Sequence, residues 1–319
     1  MNLKHVFTIG ATIVLMGCQN TMKKNQEPAS ETPVQKFEIS LAQWSIHNQI
    51  QGGSIDPMDF ASIAKDLGYT GLEYVSNLYI GDEVNYPMKA QGLDSILKEL
   101  KRRSDDLGMT NVLIMIDDQG DLSVDDELQT TQAVDNHKKW VDAAAYLGCY
   151  AIRVNLFGSA DPDAWVINSV RSLKALSAYA AEKNVSILVE NHGGLSSDAK
   201  LLARVMDEVD MDNCGVLVDF GNFCVRRENG ERWDGPCVEE YDRYRGIEEL
   251  MPYALGVSAK SYAFDAEGNE TSMDFPRILN IVRDSGFSGF IGVEFEGPDA
   301  DPQPGMAATK SLIEQVLMN

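Results

Sequence analysis

Along the chain, short apolar runs alternate with longer stretches in which apolar residues recur every three or four positions. The runs read as strands: EISLAQWSIH (38–47), GLEYVS (71–76), NVLIMID (111–117), YAIRVNLFG (150–158), VSILVENHGG (185–194), GVLVDFGNF (215–223), ALGVSAKSYAF (254–264) and GFIGVEFEG (289–297). The stretches between them, among them GLDSILKELKRRSDDLG and DPDAWVINSVRSLKALSAYAAEKN, carry the three- and four-residue spacing of amphipathic helices. Several open on Asp or Ser and close on Gly, the residues that cap helix ends. Strands that are apolar throughout belong to a parallel sheet covered on both faces. Eight strand–helix units in one domain predict an α/β fold of the (β/α)8 TIM-barrel type over residues 37–319. The rival, a doubly wound open sheet, wants a Gly-rich phosphate turn after the first strand, and WSIHNQIQGGS is a poor match.

The first residues do not fit this alternation. MNLKHVFTIGATIVLMGC has a basic start, an apolar stretch too short to span a membrane as a mature helix, and then Gly17-Cys18. Leu15-Met16-Gly17-Cys18 resembles a bacterial lipoprotein box, which implies cleavage after residue 17 and lipidation of Cys18. Residues 18–36 are polar, hold prolines and lack periodicity, as expected of a flexible tether. The expectation is an exported lipoprotein, periplasmic or at the cell surface, held to the membrane only by its lipid. In an oxidising compartment Cys224 and Cys237, which flank the polar loop CVRRENGERWDGPC, are a disulfide candidate. Cys149 and Cys214 lead into apolar runs and read as buried thiols.

Charge narrows the partners. With 49 acidic and 27 basic residues the net charge is −22, which repels phosphate backbones and argues against nucleic acid.

Barrel chemistry sits where strands end. The ends carry Trp44 and His47; Glu73; Asp117 and Asp118; Arg153 and Asn155; Glu190, Asn191 and His192; Asp219 and Asn222; Ser258 and Lys260; and Glu294 and Glu296. Buried carboxylates must be paired or bound to a cation. Residues two apart on a strand share a face, so Glu294 pairs with Glu296 and Glu190 with His192. Glu190, Asp219 and Glu294 are candidate ligands for one divalent ion, and a set of hard oxygens favours Mn²⁺, Mg²⁺ or Co²⁺. Glu296 either joins the site or merely caps its strand through a salt bridge.

The ordered set LVEN, LVDFGN, VSAKSYAF and IGVEFEG resembles the xylose-isomerase-like TIM barrel in its sugar phosphate isomerase/epimerase branch, over about residues 37–319. That resemblance implies a divalent metal held by Glu190, Asp219 and Glu294, with the two glutamates also acting as acid and base beside a sugar carbonyl. Two positions depart from the family pattern. Ser258 stands where members commonly have a histidine, and Asn222 where many have another. His192 is the substitute fourth ligand, or else a residue that touches substrate. Lys260 would neutralise a developing oxyanion, act as a base if its pKa is depressed, or pair with a carboxylate. Trp44, His47, Arg153, Asn155, Asn222 and Glu296 would line the substrate; Trp44 could instead belong to the core, and His137 reads as structural.

Export separates this chain from phosphorylated, intracellular sugars. The expected activity is metal-dependent isomerisation or epimerisation of an unphosphorylated sugar, keto-sugar or cyclitol. Elimination or hydrolysis of 3-keto-glycosides by the same chemistry is the alternative, and a non-catalytic carbohydrate-binding lipoprotein the other. The apurinic-site endonuclease branch needs several histidines around three zincs, and this chain has four histidines in all.

Overall fold

The structure, a computed structural model, describes residues 35–81, 87–298 and 300–318. The expected leader, Cys18 and the tether up to residue 34 lie outside the described residues. Ten strands follow in chain order: β1 (Phe37–Ala42), β2 (Gly71–Val75), β3 (Thr110–Met115), β4 (Ala151–Val154), β5 (Ser186–Glu190), β6 (Cys214–Asp219), β7 (Cys224–Arg227), β8 (Cys237–Glu240), β9 (Ala254–Ser261) and β10 (Gly289–Phe295). Eight of them close into a parallel barrel in the order β1-β10-β9-β6-β5-β4-β3-β2. The chain is therefore a (β/α)8 TIM barrel, as the alternation predicts.

Five of the described α-helices begin where an Asp side chain accepts backbone N–H groups. Asp126 caps Glu127–Leu147, Asp161 caps Pro162–Ala181, Asp198 caps Ala199–Val209, Asp242 caps Arg243–Leu250 and Asp274 caps Phe275–Asp284. Gly108 and Gly148 close Leu93–Leu107 and Glu127–Leu147 in left-handed conformation, which only glycine adopts without strain. The strand interiors and the inward faces of these helices form one continuous apolar core. No helix among the described residues is long and apolar enough to cross a membrane.

Two departures from the sequence reading bear on the site. The first apolar run does not continue as strand to residue 47. It stops at Ala42 and turns through short helices at Gln43–Ile46 and His47–Gln51. The buried Gln43 amide accepts from Val75 N–H (3.1 Å) and donates to the Tyr79 hydroxyl (2.7 Å), so side-chain bonds replace the strand ladder there. Secondly, the polar loop after β6 is built: β7 and β8 form an antiparallel hairpin outside the barrel. Cys224 and Cys237, the expected pair, are bonded to one another across it. Cys149 is buried and Cys214 half-buried, both as free thiols.

Candidate active site

The chemistry-bearing side chains meet at the C-terminal ends of the barrel strands, around a cavity of about 1000 Å³. Glu190 ends β5, Asp219 ends β6, and Glu294 is the penultimate residue of β10. All three are buried, and each offers a carboxylate oxygen within 4.8 Å of the others. Parallel register brings the rest alongside. Ser258 on β9 is paired with Asp219, and Lys260 on β9 with Glu294.

Ser258 Oγ lies 2.8 Å from Asp219 Oδ2 and 2.9 Å from Glu294 Oε2. A hydroxyl has one hydrogen, so two such short approaches to carboxylates are satisfied together only if one carboxyl carries a proton. Burial supplies the cause, pushing both Asp219 and Glu294 up from the usual carboxylate range. Asp219 Oδ1 also accepts the backbone N–H groups of Gly221 and Asn222, each at 2.8 Å.

Lys260 Nζ lies 3.3 Å from Glu294 Oε1, 3.4 Å from Glu296 Oε2 and 3.7 Å from Asp219 Oδ2. Burial opposes its charge, but these carboxylates outweigh it and hold the ammonium protonated well above its ordinary range. Lys260 is thus seated as a cation among carboxylates, the pairing that was one of the roles expected for it. Glu296 shows the reciprocal effect. Burial pushes its carboxyl up, yet Lys260 and a hydrogen bond from the Trp44 indole outweigh that and hold it ionised.

On the other side of the cluster, Arg153 Nε lies 2.9 Å from Glu190 Oε2, an ion pair whose N–H is not aimed along a hydrogen bond. Its Nη1 donates to Asp117 Oδ1 at 2.8 Å. Asn222 Nδ2 donates to Glu190 Oε1 at 3.0 Å. Asn155 Nδ2 donates to Asp117 Oδ1 at 2.8 Å, which leaves its carbonyl oxygen facing His192 Nδ1, also at 2.8 Å. Because that oxygen only accepts, Nδ1 of His192 must carry the proton. Burial, Arg153 and Lys260 push the imidazole down to about 3, so the ring is neutral with a lone pair on Nε2.

The sequence-predicted residues therefore divide. Glu190, Asp219, Glu294, Lys260, Arg153, Asn155, Asn222, Glu296 and Trp44 come together around the cavity or in direct contact with its lining. His192 lines the cavity 4.0 Å from Glu190 Oε2, but the carboxylate cluster forms without it. Its strand ends at Glu190, so the two-residue alternation that puts it on the glutamate's face no longer aims it at the same point. His47 is a correction. It stacks on the Trp44 ring (centroids 4.0 Å apart, planes within 3°) and bonds Trp44 O, lining a smaller recess beside the cavity instead of the cavity itself. The short helices after β1 carry it behind the tryptophan. His137, read as structural, bonds its own helix at Ala133 O (2.7 Å), although its ring reaches the cavity wall.

Other side chains complete the site, among them Asp117 and Glu73, strand-end residues to which the sequence assigned no role. Asp117 anchors both Arg153 and Asn155. Phe157, Arg232 and Trp233 line the cavity mouth. The signal for Trp233 was a tryptophan in an otherwise polar, cysteine-bracketed loop. Glu73 lies buried inside the barrel, where Ser40 Oγ donates to it at 2.5 Å and its other oxygen has no partner. Gly292 leaves the room, since a Cβ there would stand 2.5 Å from both carboxylate oxygens.

A family model for the xylose isomerase-like TIM barrel matches residues 61–315. The chain belongs to this family. Among solved structures similar to it is the 3-keto-D-glucoside 4-epimerase from E. coli, at 14% identity and a TM-score of 0.60 over 88% of this chain and 99% of that one. D-psicose 3-epimerase with D-tagatose, from Clostridium cellulolyticum H10, has 14% identity and a TM-score of 0.63 over 88% and 99%. The IOLI protein with a zinc atom has 12% identity and a TM-score of 0.66 over 88% and 100%. At such identities the likeness is one of fold. In sequence, a C-glycoside deglycosidase alpha subunit from Arthrobacter globiformis is 41% identical over 49 residues, 15% of this chain and 14% of that protein's length.

The donor set fits the divalent ion that the xylose isomerase-like fold implies. Glu190, Asp219 and Glu294 converge from three strands with hard oxygen atoms. The carboxylates of Asp117, Glu190, Asp219, Glu294 and Glu296 outnumber the cations Arg153 and Lys260 that face them. Ser258, where the resemblance implies a histidine, places a hydroxyl oxygen between two of the three candidate ligands.

Proposed function

We propose that the protein is a divalent-metal-dependent sugar isomerase or epimerase that removes a proton from a carbon beside a carbonyl, on an unphosphorylated sugar, keto-sugar or cyclitol. The observation that carries this reading is the buried convergence of Glu190, Asp219 and Glu294 at the barrel mouth, flanked by Lys260.

Glu190, Asp219 and Glu294 would hold the ion, and when bound it supplies a Lewis acid for a carbonyl oxygen and its neighbouring hydroxyl. The protein's own residues divide the proton work. Burial pushes the Glu190 carboxyl up from the usual carboxylate range against the opposing charges of Arg153 and Lys260, and Asn222 donates to it, which suits it to take a proton. Glu294 is pushed up by burial and by the neighbouring carboxylates, which suits it to hold one. The fixed ammonium of Lys260 stabilises negative charge that develops on a substrate oxygen. Trp44, held by Glu296 and backed by His47, offers a flat face to a sugar ring. Neutral His192 offers Nε2 to a hydroxyl.

The pairing of the two cations within the acidic cluster supports an unphosphorylated substrate. Arg153 and Lys260 are both buried against carboxylates and have little charge to spend on a phosphate. Export as a lipoprotein through Cys18 belongs to the same proposal, and the Cys224–Cys237 bond suits an oxidising compartment.

A second reading, elimination from a 3-keto-glycoside, is favoured by the local similarity to the C-glycoside deglycosidase subunit. The two share the first step, and product analysis separates them. Incubation of the Mn²⁺-loaded protein with methyl 3-keto-β-D-glucoside should give an isomerised or epimerised keto-sugar that still carries its methoxyl group. Release of methanol would establish elimination instead. Binding without turnover, unchanged by chelator, would leave a carbohydrate-binding protein.

A further inference from the structure

The hairpin β7–β8 is not needed to close the barrel, yet it carries a tryptophan that stays 50% exposed at the cavity mouth. Three contacts fix the loop that bears it. The Cys224–Cys237 bond ties the hairpin's two strands. Arg232 Nη2 reaches Asp121 Oδ2 at 2.9 Å, so a loop arising after β6 is pinned to the loop after β3. The Arg232 guanidinium also lies over the Phe157 ring, 3.9 Å from its centroid. Trp233 meets Phe157 edge-on at 5.4 Å and packs on His192 at 4.6 Å. Indole, phenyl and imidazole thus make one aromatic corner.

Barrel order places this corner relative to the acidic cluster. Passing around the mouth from β1 through β10, β9, β6, β5 and β4, the chain presents Trp44, Glu296, Lys260, Asp219, Glu190 and Phe157. Trp44 flanks the carboxylates on one side, and Phe157, His192 and Trp233 flank them on the other. The cavity they share, about 1000 Å³, matches the upper end of the ~300–1,000 Å³ that holds a drug-sized ligand, more than one sugar ring requires.

We infer that Trp233, Phe157 and His192 form a second subsite that takes the apolar or aromatic aglycone of a glycoside whose sugar ring lies at the acidic cluster. The ligand is thereby a glycoside and not a free monosaccharide. The subsite rests on the proposed sugar site, but its own evidence is the aromatic corner. Of the two hairpin arginines that line the cavity, Arg232 is committed to Asp121 and Phe157, and Arg227 donates to Gly235 O. The clamped loop holds the rings in place before the ligand arrives, so little ordering is left to oppose binding.

Calorimetric titration of the full protein with methyl and phenyl β-D-glucoside tests this. Neither ligand has a keto group, so the proposed chemistry cannot consume it. Wild type should bind the phenyl glucoside about fivefold to tenfold more tightly than the methyl one, the effect of a good aromatic contact. Trp233→Ala should erase that ratio, Trp233→Phe should restore most of it, and Cys224→Ser/Cys237→Ser should reduce it by loosening the loop. Equal affinities in wild type, or a ratio that survives Trp233→Ala, would overturn the aglycone subsite and leave the sugar site standing. Failure of wild type to bind either glucoside would overturn both.

Discussion

Lys260 and Glu294 are direct register partners across β9 and β10, and the lysine nitrogen lies 3.3 Å from Glu294 Oε1. The same ammonium faces Asp219 and Glu296, so one buried cation serves three carboxylates. Beside it, the Ser258 hydroxyl donates to one of Asp219 and Glu294 and accepts from the other, which carries a proton. Together they let a barrel mouth this acidic fold.

Replacing Lys260 should therefore cost both stability and turnover. Lys260→Met leaves Asp219, Glu294 and Glu296 without their shared cation, and breaking a buried ion pair in this way costs about 3–5 kcal/mol. Removing a competing positive charge should also strengthen divalent-ion binding. Thermal unfolding with and without Mn²⁺ checks both effects: the variant should melt lower than wild type without metal and gain more on adding it. An equal Mn²⁺ shift in the two proteins would mean that Lys260 does not face the ion's site.

Glu73 gives the barrel a pH dependence of its own. Burial, opposed by the Ser40 hydrogen bond, raises its carboxyl from 4.5 to about 7. Between those values the native protein holds a proton that the unfolded chain has released. Its stabilising share is full below pH 4.5 and is lost as pH rises through 7. Between pH 5 and pH 8 the loss is about 2–3 kcal/mol, because a proton held only by the native state weakens folding by ~1.4 kcal/mol for each rise of one in pH. Glu73→Gln keeps an acceptor for Ser40 and removes the titration. Urea unfolding at the two pH values should show a smaller fall for the variant than for wild type, whereas identical falls would place the charge cost elsewhere.

The proposed anchor is separable from the barrel. Cys18→Ser should move the protein from the membrane fraction to the soluble one without changing the melting temperature of the folded domain. Retention of the variant on membranes would remove lipidation at Cys18 as the tether.

Much of this was legible in the sequence, for identifiable reasons. The strands of a parallel barrel are apolar along their length and end in polar residues, so Glu190, Asp219 and Glu294 stood out as carboxylates closing apolar runs. The strand order then brought them together. What escaped depended on contacts between loops. No periodicity marks where His47 goes once the chain leaves β1, and the short helices there turn it behind Trp44. The fixed charge of Lys260 depends on Glu296 and Asp219 arriving from neighbouring strands. Asp117 looks like any acidic strand end until Arg153 and Asn155 are seen to converge on it. Trp233 reaches the cavity only because the hairpin folds back and Arg232 finds Asp121.

The central claim is that Glu190 removes a proton beside a carbonyl with Glu294 in support. Its most direct measurement is exchange of deuterium from D₂O into methyl 3-keto-β-D-glucoside, followed by NMR with the Mn²⁺-loaded protein, its chelated form, Glu190→Gln and Glu294→Gln. Wild type should place label at a carbon next to the carbonyl and lose it on chelation, and either variant should fall by at least about 10²-fold, the scale of positioned acid–base catalysis. Exchange at the wild-type rate in Glu190→Gln and Glu294→Gln would contradict it.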